Sequence, residues 1–586
     1  MTVPARSGSA LPERPPRRER WLAAVACLAL AGLYLAIAAR FGALGVSRND
    51  DWTYYRVAFD AYAEGGFSPD PFTSTMLVGL IALATPVMAV FGPSMAALQV
   101  MVAICGAVGL WAAWLLIRRF LGRVPAALAV ATLALGPLWG TLSTTFMSDV
   151  PAFTFQALAL ASAAVALRGP RVRWAWFAGS LVLCFAALTI REYAVASTIA
   201  VVVVALVRAR SRRDRAVILG AGAVWVAAAL ALLAWRAGLV TGSPSRPVRV
   251  PGPEQVKVLV RTIYTTGLLM SPVAVLVVRR DRGAFVRRHW VAAATTGGVL
   301  LAGVVATEGS VLLGNYVTAS GSYPETVGGP QPVVVTPVIW VLVVAVTVLS
   351  TTILATVAWA ELRGLLHRRG WALLLARLRA APPELVLSLA FTVTMAAIVL
   401  AIGVAVHNRI FDRYLMPITP YAAAVILWTI RHRLEPGGAG PRSARVATVG
   451  VAAGLVVLAG LGTSLVVGSA ALDGAKWRLG ERAVSAGFAA ETVDAGLEWF
   501  GFHQTAPIVM QPTTLTESSF WVTALFEDPH VCALSTYLPQ ETASGPATDP
   551  TVPGQGPVIA AEQVWAPLGP GFELALRRTD LNCPAR

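Results

Sequence analysis

Four short polar segments interrupt a largely apolar chain, and most of their side chains are carboxylates and guanidiniums. The first contains the adjacent acids Asp50 and Asp51, the second contains Asp149, and the third contains Arg191. The fourth is the sequence HNRIFDRYLMPITP, which begins at His407. A carboxylate can remove a proton from a hydroxyl or amine, and an arginine can stabilise the charge that builds on a phosphate leaving group. These residue types therefore indicate transfer of a group that is activated by phosphate.

The first three segments also have purely structural explanations. An acid such as Asp50 or Asp51 commonly caps a helix, although one cap needs only one acid and two neighbouring carboxylates repel each other. Asp149 stands two residues before a proline, which is typical of a helix start. Arg191 can pair with Glu192 in a tight turn between apolar segments. An arginine at a membrane edge is nevertheless expensive to bury, which makes it a functional candidate.

The fourth segment is the richest in polar groups. His407, Arg409, Asp412, Arg413 and Tyr414 place five polar side chains within eight positions. A single arginine that extends toward the membrane surface would explain only one of them. The density therefore indicates a site, and the two prolines that follow are expected to deform the next helix.

The elements that must position these groups are membrane helices. Of 586 residues, 56% are hydrophobic and only 13% are charged, whereas soluble domains carry about 25% charged residues. Apolar runs long enough to cross a bilayer recur along most of the chain, and we predict an all-α polytopic membrane protein with about thirteen spans. The candidate segments lie near 21–39, 73–92, 94–117, 124–143, 150–167, 174–190, 193–207, 216–235, 257–278, 290–307, 335–358, 384–406, 414–430 and 446–469.

The distribution of charge predicts the orientation of the chain. A net charge of +16 would suggest a nucleic-acid partner in a soluble protein, but here the arginines form short clusters between apolar segments, as in cytoplasmic loops. All these clusters share one side if segment 73–92 lies in the membrane interface and does not cross. We therefore predict a multi-pass cell-membrane protein with a cytoplasmic N-terminus, an extracytoplasmic C-terminus and no nucleic-acid partner. The four polar segments then share the outer face.

The sequence divides into three parts. Residues 1–20 are predicted to be a disordered basic cytoplasmic tail, 21–469 the transmembrane domain, and 470–586 a small extracytoplasmic domain of α/β or β-rich type. The segments FHQTAPIVMQPTTLT and SSFWVTALF of the last part have strand-like character. Cys532 and Cys583 both lie there, and an even pair outside the cytoplasm suggests a disulfide, with two unpaired thiols as the alternative.

Residues 41–93 form the predicted first outer loop. After the acid pair, Tyr55, Phe59 and Tyr62 recur at helical spacing, which predicts a short helix lying on the membrane surface. The apolar segment 73–92 is expected to be a second interfacial element. Together they would shape the path by which a lipid-linked donor enters sideways from the bilayer.

Several stretches resemble the GT-C superfamily of membrane glycosyltransferases. They are YYRVAFDAYAEGG after the acid pair, LIRRFLGRVPAALAVATLALGPLW, DRYLMPITPYAAAV and WRLGERAVSAGFAAETVDAGLEWFGFH. The families that they most resemble are the dolichyl-phosphate-mannose–protein mannosyltransferases and the bacterial aminoarabinose transferases. The resemblance spans roughly the whole membrane part and implies a GT-C-like fold.

The resemblance implies an inverting glycosyltransferase that moves a hexose or pentose from a polyprenyl-phosphate donor to an extracytoplasmic glycan, lipid or protein. The catalytic acid of the family maps onto Asp50. Arg191 and Arg413, with Arg56 after them, are the candidates for holding the donor phosphate. Many relatives have glutamate where this chain has Asp51, which leaves open which acid is the base and whether a metal takes part.

The remaining candidate residues have supporting roles. Asp51 and Asp149 are expected to position the base or the acceptor. Tandem carboxylates can bind a divalent metal through oxygen, but we favour a base that needs no metal or other cofactor. The other supporting candidates are Glu192, His407, Asp412, Tyr414, Tyr54 and Tyr55.

A transporter or flippase, or a polymerase of lipid-linked glycans, is the alternative function. A transporter predicts charged residues near the middle of the spans and internal repeats. In this sequence the charges lie at the ends of the spans and no clear repeat is visible, which favours the enzyme.

Overall fold

The structure, a computed structural model, is mostly helical and carries a small sheet near the C-terminus. It describes residues 15–73, 76–239, 252–280, 287, 289–307, 309–365, 376–403, 410–433, 441–508, 522, 525–527, 529–538, 557–579 and 583. The helices of the first half are α1 Arg17–Arg40, α2 Asp51–Glu64, α3 Val78–Phe91, α4 Met95–Arg118, α5 Arg123–Ala134, α6 Trp139–Leu142, α7 Asp149–Leu167, α8 Trp174–Leu188, α9 Val195–Arg208 and α10 Arg212–Leu239.

The second half contains further helices and all four described strands. The helices are α11 Pro253–Leu269, α12 Ser271–Arg280, α13 Trp290–Ala306, α14 Pro337–Leu365, α15 Pro383–Ile402, α16 Thr419–Arg433, α17 Pro441–Ser485 and α18 Leu497–His503. Short 3-10 helices cover Glu192–Ala194, Pro324–Thr326, Asp412–Ile418 and Ala490–Thr492. The strands are β1 Val493–Asp494, β2 Ala533–Tyr537, β3 Val558–Val564 and β4 Phe572–Arg578.

The predicted fold class is confirmed: this is a multi-pass helical membrane protein with a small C-terminal sheet. Among the described residues, seven helices are long and apolar enough to cross a membrane: Arg17–Arg40, Met95–Arg118, Asp149–Leu167, Arg212–Leu239, Pro337–Ala360, Pro383–Ile402 and Gly454–Ser485. The predicted count of thirteen spans is not confirmed, because several of the remaining apolar helices have only 10–17 residues.

Two segments that were predicted as single spans are broken in the structure. Segment 124–143 divides into α5 and α6 around Gly136 and Pro137, and segment 257–278 divides into α11 and α12 beside Pro272. Proline has no N–H to donate to the preceding turn and its ring clashes with the helix backbone. Prolines also explain why the predicted span 414–430 begins as a 3-10 helix, which contains Pro417.

The arginine-rich ends of the helices meet at one end of the bundle. Arg118 Nε lies 2.8 Å from Glu19 Oε1, which joins the end of α4 to the start of α1. Between them α3 has only 14 residues, or about 21 Å of helix against a hydrocarbon core of about 30 Å. The start of α1 and the end of α4 therefore share one side, which is the arrangement expected if segment 73–92 does not cross the membrane. We call this side the arginine end.

The C-terminal part is continuous with a membrane helix. α17 has 45 residues, and its second half packs against a four-stranded sheet of order β1-β2-β4-β3. β1 and β2 are parallel, whereas β4 is antiparallel to both β2 and β3. The predicted domain boundary at 470 falls inside α17, and a disulfide joins Cys532 to Cys583.

The two segments with strand-like sequence have a different outcome. FHQTAPIVMQPTTLT begins at Phe502 and His503, which end α18, but Ile508 of the same segment forms an isolated antiparallel β-bridge with Phe526 of SSFWVTALF. The last residues of the first segment and most of the second lie outside the described residues. The named strands, β1 to β4, lie elsewhere in the C-terminal part.

The C-terminal part also covers the start of α2. Trp52 of α2 is fully buried in a cluster with Leu497 and Phe500 of α18. A Cβ on Gly501 would collide with the indole of Trp52, so the contact requires glycine there. The start of α2 is therefore held between the membrane domain and the C-terminal part.

The substitution Gly501→Ala should separate α18 from Trp52 and lower the free energy of unfolding by about 1–3 kcal/mol, as overpacking does. Thermal unfolding followed by tryptophan fluorescence in detergent measures this. Gly66→Ala is the matched control, because nothing lies within 4 Å of its Cβ position. Equal midpoints for the two variants would contradict the tight contact.

Candidate functional site

Asp149 and Arg191 form a buried ion pair. Arg191 Nη2 lies 2.8 Å from Asp149 Oδ2, and the Tyr193 hydroxyl donates to Asp149 Oδ1 at 3.1 Å. The two charged side chains are 0% and 3% exposed. The ion pair of Arg191 is therefore made with Asp149 across two helix ends. Its neighbour Glu192 is close enough to Arg191 and Arg236 to interact with their charges.

Asp50 lies beside Arg413 and remains partly exposed. Arg413 Nη2 is 3.4 Å from Asp50 Oδ2, and the Asp50 side chain is 23% exposed whereas that of Arg413 is 6% exposed. Asp50 occupies the N-cap position of α2, but its side chain makes no capping hydrogen bond. Capping therefore does not explain this acid, and its carboxylate faces Arg413 and solvent.

The two ion pairs meet at one aromatic ring. The guanidinium carbons of Arg191 and Arg413 lie 6.0 and 5.9 Å from the centre of the Tyr414 ring. The Tyr193 ring lies 5.8 Å from the same ring. The structure thus brings Asp50, Asp149, Arg191 and Arg413 together at the ends of α2, α7, α9 and α16.

Asp51 differs from Asp50 in its surroundings. It is fully buried, and its Oδ1 accepts from the Ser47 hydroxyl at 2.5 Å and the Arg48 N–H at 2.6 Å, while Oδ2 accepts from the Phe146 N–H at 3.1 Å. Burial raises the pKa of Asp51 to about 7, against the opposing effect of these hydrogen bonds. Such a pKa suits a base, but both oxygens point into the protein. Asp51 therefore shapes the loop, and Asp50 is the acid that a substrate can reach.

Asp412 has a similar shaping role for Arg413. Its buried carboxylate accepts from the N–H groups of Tyr316 and Val317, both at 2.9 Å, and from the N–H of Arg413 at 2.8 Å. Burial raises the pKa of Asp412 to about 7. The carboxylate joins the 309–336 loop to the 3-10 helix that carries Arg413, and so fixes where that arginine lies.

The other predicted residues divide into two groups. Tyr54 is buried and lies close enough to Arg191 for the two side chains to interact electrostatically. Arg56 instead donates to the Gln504 carbonyl at 3.2 Å and lies over the Trp52 ring, and Tyr55 donates to the Pro93 carbonyl. These contacts point away from the two ion pairs. The predicted residues His407 and Arg409 lie outside the described residues.

Sequence reasoning missed a buried ionic network behind the acid pair. Arg48 Nε is 2.7 Å from Asp473 Oδ2, and both side chains are 0% exposed. Lys476 Nζ lies 3.0 Å from Asp473 Oδ1 and 2.9 Å from Glu498 Oε1. Glu498 also accepts from the Asn49 N–H at 3.1 Å. The network joins the residues before Asp50 to α17 and to the C-terminal part.

A sequence signal for this network existed. Asp473 and Lys476 stand three residues apart directly after the apolar half of α17, where charges at such spacing share one helix face. Arg48 directly precedes the acid pair. What the sequence could not show is that these groups meet, since 425 residues separate Arg48 from Asp473.

Asp51→Ala should be far more destabilising than Asp50→Ala. It leaves the buried N–H groups of Arg48 and Phe146 without their acceptor, and each unsatisfied group costs about 1–3 kcal/mol. Asp50→Ala removes a partly exposed side chain and should change the free energy of unfolding by about 0.5 kcal/mol or less. Thermal unfolding of the two variants measures the difference, and the reverse order would show that Asp51 is not the structural acid.

Lys476→Met should lower the free energy of unfolding by about 3–5 kcal/mol, because it leaves the buried carboxylates of Asp473 and Glu498 without their shared cation. The double variant Lys476→Met/Glu498→Gln removes one of those charges and should recover part of the loss. Chemical denaturation of the three proteins measures this. A double variant no more stable than the single one would argue against the charge network.

Comparisons with known proteins agree with part of this description. The model of the family described as dolichyl-phosphate-mannose-protein mannosyltransferase matches residues 78–235. This range includes Asp149 and Arg191 but neither Asp50 nor Arg413. A search of curated proteins finds no match.

Two solved structures illustrate the likeness. ArnT from Cupriavidus metallidurans bound to undecaprenyl phosphate is 14% identical, covers 96% of this chain and 98% of its own, and has a TM-score of 0.38. The oligosaccharyltransferase of Archaeoglobus fulgidus in the apo form is 15% identical, covers 83% of this chain and 61% of its own, and has a TM-score of 0.40. The family match confirms the predicted resemblance: over residues 78–235 the chain is similar to the dolichyl-phosphate-mannose–protein mannosyltransferases.

Proposed function

We propose that this protein is an inverting glycosyltransferase that moves a sugar from a polyprenyl-phosphate donor to an extracytoplasmic acceptor. The observation that carries the proposal is the partly exposed carboxylate of Asp50 beside Arg413, with Arg191 at the same tyrosine ring. A base beside one guanidinium, with a second guanidinium at the same tyrosine ring, suits sugar transfer from a phosphate. The family match over 78–235 supports the class of reaction.

Asp50 is the general base in this proposal. It removes the proton from a hydroxyl or amine of the acceptor as that group attacks the anomeric carbon of the sugar. The bond from the anomeric carbon to the phosphate oxygen breaks, and its electron pair leaves with the polyprenyl phosphate. Attack from the face opposite the leaving group inverts the configuration at the anomeric carbon.

The two arginines hold the leaving phosphate. Nε of Arg191 and Nε of Arg413 are both buried with no hydrogen-bond partner among the residues that the structure describes. The contact from Arg413 to Asp50, at 3.4 Å, is longer than a strong charge-assisted hydrogen bond. Each guanidinium therefore has N–H groups to offer to phosphate oxygens, and their positive charge stabilises the phosphate as it departs.

The acids around Asp50 act by positioning. Asp149 fixes Arg191 and Asp51 fixes the loop through its hydrogen bonds to Arg48 and Phe146. Because both oxygens of Asp51 already accept from N–H or O–H groups, Asp50 and Asp51 are poorly arranged to share a divalent metal. A guanidinium beside Asp50 also disfavours a second cation there. We therefore propose a base that acts without metal.

The proposed orientation follows from the two ends of the bundle. The arginine end would face the cytoplasm under the positive-inside rule. Asp50 and Asp149 follow or begin membrane helices at the opposite end, so the site and the sheet would lie outside, where a lipid-linked donor is available and nucleotide sugars are not. The transporter or polymerase alternative has less support, because the charged groups of the site gather at the ends of helices.

Asp50→Asn should lower sugar transfer by about 10²–10⁴-fold, the usual contribution of a general base. Mass spectrometry of envelope glycans from a deletion strain first identifies the missing sugar. The strain complemented with each variant then measures transfer.

Asp60→Asn, a half-buried acid on the same helix, is the matched control and should restore wild-type glycans. Full glycosylation by a normally expressed Asp50→Asn protein would reject the assignment of the base. A deletion strain with unchanged glycans would reject the proposed reaction.

A further inference from the structure

The 309–336 loop brings one tyrosine hydroxyl to the backbone that precedes Asp50. Tyr316 is fully buried, and its hydroxyl oxygen accepts from Asn49 Nδ2 at 2.8 Å. The hydroxyl lies close enough to Asp50 and Arg413 to interact with their charges. Asn49 and Tyr316 are 267 residues apart in the chain. The structure therefore adds two residues to the surroundings of the site that the sequence did not indicate.

Asn49 is held in an unusual backbone conformation from two sides. Its φ of 55° is left-handed, a conformation that few residues other than glycine adopt and that asparagine tolerates best. Its N–H donates to Glu498 Oε1 at 3.1 Å, and its side chain donates to the Tyr316 hydroxyl. Asn49 is only 5% exposed. These tertiary contacts therefore hold the turn that comes directly before Asp50.

The backbone around Tyr316 is unusual as well. Four non-glycine residues among those that the structure describes have a left-handed φ, and Asn49, Asn315 and Tyr323 are three of them. The Tyr323 N–H donates to the Asn315 carbonyl at 2.5 Å, and the Tyr323 ring packs edge to face on Tyr316 at 5.4 Å. Strained backbone persists only where its surroundings hold it, and it clusters at functional sites. Three such residues around one hydrogen bond therefore point to a function for that bond.

Tyr316 connects the residues that precede the base and the arginine. Asn49 directly precedes Asp50, and Asp412 directly precedes Arg413. The Tyr316 hydroxyl accepts from Asn49, whereas its N–H donates to Asp412 Oδ2 at 2.9 Å. The Asp412 carboxylate also accepts from the N–H of Arg413 at 2.8 Å. One residue therefore fixes the backbone on both sides of the contact between Asp50 and Arg413.

We propose that Asn49 and Tyr316 are positioning residues that set the direction of the Asp50 carboxylate relative to Arg413. This role rests on the proposed function, in which Asp50 is the base. The hydrogen bond between the two side chains holds the left-handed turn, so that Asp50 faces the partly exposed space beside Arg413 and does not turn inward as Asp51 does. Neither positioning residue touches the substrate. A reacting group that moves by about 1 Å can lose about 100-fold in rate.

The test compares Tyr316→Phe, Asn49→Gly and the double variant. Tyr316→Phe keeps the ring but removes the acceptor for the Asn49 amide. Asn49→Gly keeps the left-handed turn accessible but removes the amide. The rate of transfer is the initial rate at which the missing sugar returns to the envelope glycans of the deletion strain, per amount of protein in the membrane. Each single variant should lower this rate about tenfold or more.

The double variant shows whether the two side chains act through one hydrogen bond. If they do, it should transfer about as fast as the slower single variant, whereas independent losses would multiply to about 100-fold or more. Tyr537→Phe is the matched control, because its buried hydroxyl donates to the Pro324 carbonyl of the same loop at 3.1 Å. It should change the rate less than about twofold, since it does not share the contact with Asn49.

Native mass spectrometry of the full-length variants with undecaprenyl phosphate separates positioning from donor binding. Tyr316→Phe and Asn49→Gly should bind this probe as the unmodified protein does. Binding that falls as far as transfer would show that Tyr316 holds the donor, and would overturn the positioning role. Losses that multiply in the double variant, or an equal loss in Tyr537→Phe, would also overturn it.

The behaviour of Asp50→Asn distinguishes failure of this role from failure of the proposed function. Normal transfer by Asp50→Asn would reject the base and the positioning role with it. If Asp50→Asn is inactive while Tyr316→Phe and Asn49→Gly transfer at the full rate, the base stands and only the positioning role is rejected.

Discussion

The buried pair of Arg48 and Asp473 is the interaction on which the arrangement of the site depends. Both side chains are fully buried, and a buried charge is tolerated only when it is paired and hydrogen-bonded. Arg48 meets this condition by also donating to Thr144 and Ser469. These contacts hold Arg48, which stands two residues before Asp50, against α17 and the loop before α7. The loop therefore cannot move independently of the helices that frame the site.

The same contacts separate two adjacent acids into two roles. Asn49 has a φ of 55°, a left-handed conformation that asparagine tolerates better than most residues. The chain turns there, so that Asp51 points inward to N–H donors while Asp50 points toward Arg413 and solvent. The aspartate at position 51 therefore has a structural role, whereas the aspartate at position 50 is accessible to a substrate. The difference comes from the tertiary contacts of each side chain and not from the residue type.

The fold class and the meeting of the four polar segments could be predicted. The lengths of the apolar segments and the positions of the arginine clusters can be read directly from the sequence, and together they indicate which helix ends lie on the same side. The breaks at Pro137 and Pro272 were not predicted, because the apolar runs continue across both prolines and read as single spans. The partners of Asp51 and Arg48 could not be predicted. Phe146 lies 95 residues from Asp51, and nothing in either local sequence indicates that they meet.

The uninterrupted course of α17 has a consequence for work on the C-terminal part alone. At about 1.5 Å per residue, its 45 residues extend about 68 Å, roughly twice the hydrocarbon thickness. A fragment that begins near residue 470 would retain Asp473, Lys476 and Glu498 but lose the guanidinium of Arg48. The two carboxylates would then share a single cation and be exposed to water. The sheet and the membrane domain should therefore be expressed and purified together as one protein.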